Sequence, residues 1–184
     1  LPRMAHVVFL RSPHAHARIN GIDTEAAKRS PGVLAVYTAA DVEAARLGSI
    51  KCVAPLKNRD GSDFFNPGRP LLTTKKVRHV GDPVALVIAD SLAAAKDALD
   101  LIEVDYAPLP AVIDPAAAVQ PGAPVLWDEQ PSNVALDWGL GDANKAEAAF
   151  AQAAKIVKLD LAINRVMVAP LEPRFTFDSF VVGK

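Results

Sequence analysis

The sequence PVALVIADSLAAAKDALDLIEVDY occupies residues 83–106 and decides the fold class. Its first seven residues form an apolar run, which predicts a strand buried on both faces. A helix follows with its N-cap at Asp90 or Ser91. The predicted apolar face of this helix comprises Leu92, Ala95, Leu99 and Ile102. Residues 103–106 then alternate as a second strand, so the segment predicts a compact strand–helix–strand unit.

A second strand–helix–strand unit is predicted nearer the N-terminus. Residues 5–10 contain β-branched and aromatic side chains typical of a buried strand. A short helix capped by Asp23 or Thr24 is expected to run to Arg29 and to end at Pro31-Gly32. Residues 33–37 form the next predicted strand, and a second capped helix is predicted from Asp41 to about Leu47.

The two units enclose a stretch of turn-forming residues between positions 50 and 72, which predicts a long loop that is a binding element or a mobile segment. Together they predict one α+β domain that ends near Asp114. Six prolines between residues 108 and 133 predict an extended surface connector. Beyond it, Asp142 is expected to cap a helix to about Lys155, and residues 156–163 alternate as a strand. Since this last pair has no partner elsewhere in the sequence, it predicts the start of a second domain.

Composition excludes several functional classes. Twenty Lys and Arg residues nearly cancel twenty-one Asp and Glu residues, and a net charge of −1 offers no footprint for nucleic acid. The cluster Lys75, Lys76, Arg78 and His79 is interpreted as a solvated strand edge. No apolar run is long enough to predict a membrane span. The single cysteine, Cys52, builds neither an internal disulfide nor a cysteine-rich metal site, which favours a reducing, cytoplasmic location.

Histidines provide the first candidate site. From His14 to Arg18, large polar residues alternate with alanine, which predicts a strand with His14 and His16 on one face. Two histidines on one face are a possible start of a metal site, but the sequence shows no third ligand nearby. Packing, or a hydrogen bond to a neighbouring subunit, is the alternative that we favour, and we predict no metal ligand.

Two further segments are candidates for cofactor binding. Residues 139–144, GLGDAN, resemble the start of a glycine-rich dinucleotide turn, but Asn144 replaces the third glycine, and a helix cap at Asp142 is the preferred interpretation. In residues 169–174, APLEPR, the prolines hold Glu172 and Arg174 at a fixed separation. Two interpretations follow for this pair: it orients a cofactor or a substrate phosphate, or it is a structural ion pair at a domain junction. The pattern contains no complete active site.

The ordered set of sequence blocks resembles the large subunit of molybdenum hydroxylases, the xanthine dehydrogenase and aldehyde oxidase family. The form SPHAHAR at residues 12–18 is most similar to bacterial carbon monoxide dehydrogenase and aldehyde dehydrogenase large chains. The blocks cover most of the sequence from about Met4 to Arg174. They lie at residues 8–19, 22–23, 31–33, 77–85, 104–112, 133–134, 141–142, 148–150, 164–165 and 169–174.

The resemblance implies an α/β hammerhead domain at residues 1–114, a proline-rich connector at 115–141 and the beginning of a molybdopterin-binding domain at 142–184. It further implies a molybdopterin cytosine dinucleotide cofactor with molybdenum, and iron–sulfur clusters and FAD in partner domains or subunits. The resemblance implies a reaction that oxidises an aldehyde, an N-heterocycle or CO, with water as the oxygen source. The family's glycine-rich cofactor segment, molybdenum-shell glutamine and catalytic glutamate have no counterpart here, and residues 175–180 depart from its pattern, so we predict no catalytic residue.

Two hypotheses therefore follow from the sequence. The first is that the chain is the N-terminal part of such a large subunit, inactive alone, whose loop at residues 50–72 shapes the substrate channel. Its partners would be the remainder of the molybdopterin domain, an iron–sulfur subunit and an FAD subunit. The second is a non-catalytic scaffold or binding module that retains the hammerhead fold.

Overall fold

The structure is a computed structural model, and it describes residues 4–161 of the 184-residue chain. The chain divides into two compact units between residues 139 and 140, and the first unit contains two three-stranded sheets. In chain order the elements are β1 (His6–Arg11), β2 (Ala17–Asp23), α1 (Glu25–Lys28), β3 (Val33–Thr38), α2 (Ala39–Ala44), β4 (Lys76–Val77), β5 (Pro83–Ala89), α3 (Leu92–Leu99), β6 (Glu103–Pro108), α4 (Pro115–Ala118) and α5 (Ala143–Ala151).

The first sheet, sheet A, has β5 at its centre. Strands β1 and β3 pair with β5 on either side, and both pairings are antiparallel. The register places Val87 opposite both Val8 and Val36, and Val87 is fully buried. The central position of the strand is as predicted, but burial on both faces is not: Val87 and Ala89 are buried, whereas Leu86 and Ile88 on the other face are only partly buried.

Helix α3 covers one face of sheet A. Its N-cap is Ser91, whose Oγ accepts a hydrogen bond from the Ala94 N–H at 3.2 Å, and this selects one of the two predicted caps. The predicted apolar face is partly wrong, because Leu92 is exposed and the fully buried positions are Ala95 and Ala98. Small side chains at these positions allow the helix backbone to lie close to the strands.

The second sheet, sheet B, has the order β4-β2-β6 and is also antiparallel. Ala17 and Val77 pair across it and are fully buried with Val84 of β5, so the N-terminal end of β5 packs in this second cluster. The chain is therefore α+β, as predicted. However, the two predicted strand–helix–strand units do not each form one sheet, since β5 and β6 belong to different sheets. Sequence pattern specifies strands but not their partners.

Several local predictions are wrong. Helix α2 begins at Ala39 rather than Asp41, because the Asp41 carboxylate accepts the Thr38 N–H at 2.7 Å and so completes a capping box around Thr38. Strand β2 begins at Ala17, so His14 and His16 lie in the irregular segment before it.

Helix α5 and its Asp142 cap are confirmed, but the helix ends at Ala151 rather than near Lys155, and residues 156–161 form no strand. A strand needs a partner for its backbone, and residues 156–161 pair with nothing in the described part of the chain.

Replacing Gly32 with alanine is expected to destabilise the first unit by about 2 kcal/mol. Gly32 has a φ of 81°, and an added Cβ would lie 2.7 Å from Asp90 Oδ1 and 3.1 Å from Ala94 Cβ. Gly81→Ala is the matched control, because Gly81 has a φ of 93° and no atom within 4 Å of an added Cβ. Urea unfolding followed by circular dichroism measures both. Equal losses for the two variants would show that the contact with Asp90 and Ala94 has no effect.

Candidate functional site

Two of the sequence blocks meet where β1 ends and β5 begins. The Ser12 N–H donates to the Asp82 carbonyl at 2.9 Å, and the Gly81 N–H donates back to the Ser12 carbonyl at 2.8 Å. Arg11 Nη1 adds a hydrogen bond to the Gly81 carbonyl at 2.9 Å. Residues 11–12 and 81–82 thus form one hydrogen-bonded unit, which we call the corner.

The carboxylate of Asp82 organises the turn that enters β5. It accepts the backbone N–H of Arg78 at 2.7 Å and that of His79 at 3.3 Å. Its other oxygen lies 2.9 Å from His79 Nδ1. A carboxylate that accepts backbone N–H groups holds a tight turn in place. Asp82 is therefore assigned a structural role in the corner.

His14 and His16 do not form a metal site. His16 is buried, and its Nδ1 lies 2.8 Å from the Pro110 carbonyl, so Nδ1 carries the proton and donates to it. The His14 ring instead packs edge-on against Tyr106, with centroids 4.8 Å apart, and burial raises the pKa of Tyr106. Within residues 4–161, no group of three His, Cys, Asp or Glu side chains is arranged to hold a metal ion. Both histidines tie the segment before β2 to β6 and its continuation.

The basic cluster beside β4 is not a solvated edge, and that prediction is wrong for two of its members. The Lys76 side chain is only 8% exposed, and its Nζ lies 2.7 and 2.8 Å from the two carboxylate oxygens of Asp128. The hydrogen bond from Lys76 lowers the pKa of Asp128. Burial of Lys76 requires a partner, and Asp128 from the proline-rich segment supplies it.

Arg78 makes a second contact with the same segment. Its guanidinium carbon lies 3.5 Å from the centroid of the Trp127 ring, its Nε donates to the Leu126 carbonyl at 3.0 Å and its Nη1 donates to the Lys76 carbonyl at 3.2 Å. Burial lowers the pKa of Arg78, and the nearby charges of Glu129, Asp128 and Asp82 oppose that shift. Arginine remains charged at neutral pH, so this is a cation–π contact of a full positive charge. We call Lys76, Arg78, Trp127 and Asp128 the clasp.

Asn133 shapes the proline-rich segment from within. Its Oδ1 accepts the Leu126 N–H at 3.1 Å, and its Nδ2 donates to the carbonyls of Ala118 and Pro124 at 2.9 Å each. One amide side chain thus binds three backbone groups that otherwise lack partners in a segment with few regular hydrogen bonds. The segment is consequently a defined loop that includes helix α4, rather than a purely extended connector.

The long loop at residues 50–72 closes onto the same segment. The Arg59 N–H donates to the Asp137 carbonyl at 2.8 Å, and the Phe65 N–H donates to the Ala135 carbonyl at 2.9 Å. Arg59 Nε also lies 3.1 Å from Asp137 Oδ1. Between the two segments lies an open cavity of about 660 Å³ with polar and aromatic lining. Residues that line it include Asn58, Asp60, Phe64, Phe65, Gln130 and Ser132. This lining offers hydrogen-bonding groups and ring faces, but no nucleophile paired with a base.

Comparison with known proteins identifies the family. Residues 1–110 match the family model "Aldehyde oxidase and xanthine dehydrogenase, a/b hammerhead domain". The chain is 40% identical over 169 residues to the nicotine 6-hydroxylase large subunit of Paenarthrobacter nicotinovorans, across 92% of this chain and 20% of that protein. The chain belongs to the aldehyde oxidase and xanthine dehydrogenase family. Its first domain is the α/β hammerhead, which confirms the resemblance inferred from the ordered blocks.

Solved structures of this family agree with the fold. The reconstituted CO dehydrogenase of Oligotropha carboxidovorans matches with a TM-score of 0.70 and 36% identity, over 84% of this chain and 19% of that one. Quinoline 2-oxidoreductase of Pseudomonas putida 86 matches with a TM-score of 0.63 and 43% identity, over 73% of this chain and 16% of that one. The chain therefore spans about a fifth of the length of its relatives. None of the helices found between residues 4 and 161 is long and apolar enough to cross a membrane.

The other predicted site residues do not form a binding site in the described part of the chain. The GLGDAN segment forms the N-terminal cap of helix α5, since Asp142 Oδ1 accepts the Lys145 N–H at 3.0 Å and Gly141 has a φ of 102°. Cys52 is free and exposed. Glu172 and Arg174 lie outside the described residues, as do the blocks at 164–165 and 169–174. For these, cofactor orientation and a structural ion pair remain the two predictions.

Sequence reasoning missed the clasp residues Trp127 and Asp128 of this hammerhead-containing chain. The available signal was that the proline-rich segment contains an acidic residue, whose charge is opposite to that of the basic cluster at residues 75–79, beside an aromatic residue. Opposite charges on two segments about 50 residues apart form a pair only if the fold brings those segments together. The strand pairing of β4 with β2 does so by fixing Lys76 in the edge strand of sheet B, and Arg78 follows directly after that strand.

The two halves of the Lys76–Asp128 pair are expected to respond unequally to mutation. Asp128→Ala leaves the buried Lys76 ammonium without its carboxylate, whereas Lys76→Met removes the charge and retains an apolar stem. We expect Lys76→Met to stay within about 1 kcal/mol of the parent chain and Asp128→Ala to lose more. Asp137→Ala, which breaks the exposed pair with Arg59, is the control and should have little effect. Urea unfolding ranks the three variants, and a larger loss for Lys76→Met than for Asp128→Ala would contradict this account.

Proposed function

We propose that the chain is the N-terminal part of the molybdopterin-binding large subunit of a molybdenum hydroxylase. The observation that carries the proposal is that the similarity extends beyond the hammerhead domain, over 92–94% of the chain, and runs along proteins named as large subunits or large chains. In this proposal, residues 1–114 are the hammerhead, 115–141 the connector and 142–184 the beginning of the cofactor domain. Relatives with 30–43% identity over most of the chain support membership in a large subunit.

The proposed reaction is hydroxylation of an aldehyde or an N-heterocycle, or oxidation of CO, with water as the oxygen source. The names of the relatives support this range, since they include nicotine 6-hydroxylase, quinoline 2-oxidoreductase and a Cu,Mo-CO dehydrogenase. The proposed cofactor of the complete enzyme is molybdopterin cytosine dinucleotide with molybdenum. Iron–sulfur and FAD subunits are the proposed electron-accepting partners, and the cytoplasm is the proposed location.

The residues described here do not fit that cofactor by themselves. A molybdenum cofactor of this size needs convergent polar groups in a closed cavity. The buried polar groups of the corner and the clasp are instead satisfied by the chain's own backbone and side chains. No catalytic step is therefore assigned to residues 4–161. Their proposed contribution is structural: the clasp fixes the connector on the hammerhead, and the loop at residues 50–72 shapes the approach to the substrate.

Elemental analysis of the purified protein tests the proposal. The gene is expressed as it occurs in the genome, together with its neighbouring genes, and the intact mass of the product is measured beside its molybdenum content. We expect a polypeptide several times longer than 184 residues that co-purifies with molybdenum in a near-constant ratio. A monodisperse 184-residue protein without molybdenum would overturn the proposal in favour of a non-catalytic scaffold.

A further inference from the structure

An asparagine–glycine pair lies in the central strand of sheet B. Asn20 and Gly21 are consecutive residues of β2, and no other asparagine of the chain is followed by glycine. Both residues are exposed, although β2 has β4 and β6 on its two sides. Glycine has no side chain to shield its backbone nitrogen, so the Asn20 side chain meets a smaller obstacle at the next residue than any other asparagine of the sequence.

The pair lies at an irregularity of the strand. Ile19 and Gly21 face consecutive residues of β6, so Asn20 is an extra residue without a cross-strand partner in the register. Ile19 and Ile22 are partly buried, and the two residues between them are exposed. On the other side of β2, β4 pairs only with the first two residues of the strand. Since a bulge interrupts the ladder, the backbone at Asn20 rearranges at a lower cost than in a regular strand.

The Asn20 side chain is weakly held, and its surroundings are acidic. Its Nδ2 donates to Asp105 Oδ2 at 3.3 Å, which is long for a hydrogen bond. Asp23 and Glu103 lie opposite each other in the same strand pair, and with Asp105 they line an open depression of about 450 Å³. The neutral amide adds no charge to these three carboxylates. A carboxylate at position 20 would instead repel that of Asp105 across the strand pair.

We propose that Asn20 is a site of spontaneous deamidation and that the product weakens the pairing of β2 with β6. The Gly21 backbone nitrogen bonds to Asn20 Cγ, the Cγ–Nδ2 bond breaks, and ammonia leaves with the proton of the Gly21 N–H. Water then opens the cyclic imide. Cleavage between the imide nitrogen and Cγ gives aspartate, and cleavage at the other carbonyl gives isoaspartate, whose chain runs through Cγ. The step needs only water, so it is independent of the proposed function.

Peptide mapping of the intact protein, expressed together with its neighbouring genes, tests the chemical step. After prolonged incubation in mildly alkaline buffer, we expect the tryptic peptide of residues 19–28 to gain the mass of an amide-to-acid change and to separate into two isomers. The rate should rise with pH, because the attacking nitrogen must lose its proton. Peptides that contain the other asparagines are internal controls and should change at least about tenfold more slowly, which corresponds to a barrier higher by about 1.4 kcal/mol.

Gly21→Ala is the matched variant for this step. An added Cβ at Gly21 would have no atom within 4 Å, and the φ of Gly21 lies outside the left-handed region, so the variant should fold as the parent does. The new methyl group hinders the approach of the backbone nitrogen to Asn20 Cγ. We expect deamidation at Asn20 to slow by about tenfold or more. Equal rates for the parent and Gly21→Ala, or an unchanged peptide of residues 19–28, would overturn the proposal.

Asn20→Asp tests the effect on sheet B, because it reproduces one of the two products. It should lower the midpoint of urea unfolding of the intact protein, and the loss should shrink at high salt, which screens the repulsion from Asp105. In the background of Asp105→Ala, the same change should have little effect. A loss that is equal in both backgrounds, or no loss in either, would show that the product does not weaken the strand pair through Asp105. None of these outcomes bears on the molybdenum content or the length of the polypeptide, which test the proposed function separately.

Discussion

Val87→Asp is expected to leave the chain unfolded at 25 °C. Val87 is fully buried at the centre of sheet A, between Val8 and Val36 and beneath helix α3. An unpaired carboxylate there costs about 4–5 kcal/mol or more, which is comparable with the whole stability of a small domain. Far-ultraviolet circular dichroism and the tryptophan emission spectrum should show loss of structure without denaturant.

Two controls separate burial from a general effect of mutation in β5. Val87→Ala should fold and lose about 2 kcal/mol, through the removed methyl groups and the cavity left behind. Ile88→Asp places the same carboxylate one position along the strand, on the face opposite helix α3, and should fold with a loss of about 1 kcal/mol. A folded Val87→Asp variant, or an unfolded Ile88→Asp variant, would contradict the arrangement of sheet A described above.

Arg78→Ala is expected to lower the free energy of unfolding by about 2 kcal/mol and to release the clasp. The change removes the contact with the Trp127 ring and the hydrogen bonds to the carbonyls of Leu126 and Lys76. The chain has two tryptophans, and Trp138 is already half exposed, so exposure of Trp127 should move the summed emission to longer wavelength. Urea unfolding measures the free energy of unfolding, and the tryptophan emission at urea concentrations below the unfolding transition measures the local change at the clasp.

The variant Arg78→Lys separates the effect of the planar guanidinium group from the effect of its positive charge. Lysine keeps the positive charge but lacks the planar group that stacks on a ring and donates in two directions, so it should restore only a small part of the loss. Arg11→Ala is the matched control, since Arg11 also lies over a ring and donates to a carbonyl, but at 5.6 Å and in solvent. Full rescue by Arg78→Lys, or an equal loss for Arg11→Ala, would show that Arg78 acts only as a surface charge.

Much of the fold was predictable because it depends on local patterns. The apolar run at residues 83–89 required a central strand, and Ser91 and Asp142 marked the helix starts. Helix α2 begins two residues before its predicted start, because the capping box of Thr38 and Asp41 makes Thr38 the N-cap and Asp41 part of the first turn. The candidate site was predicted far less well, since the histidine pair lies outside the strand that was expected to align it.

The sequence by itself determined the family, the α+β class and the order of strands and helices. Those features follow from periodicity, turn residues and ordered blocks, all of which are local along the chain. Only the tertiary structure decided that Lys76 is buried, that Arg78 stacks on Trp127 and that β5 and β6 belong to different sheets. These depend on pairings between residues about 20 to 80 positions apart, whose energies no single segment contains. The run at residues 83–89 illustrates both: its sequence predicts a strand buried on both faces, whereas the tertiary structure packs helix α3 on one face and leaves Leu86 and Ile88, on the other face, only partly buried.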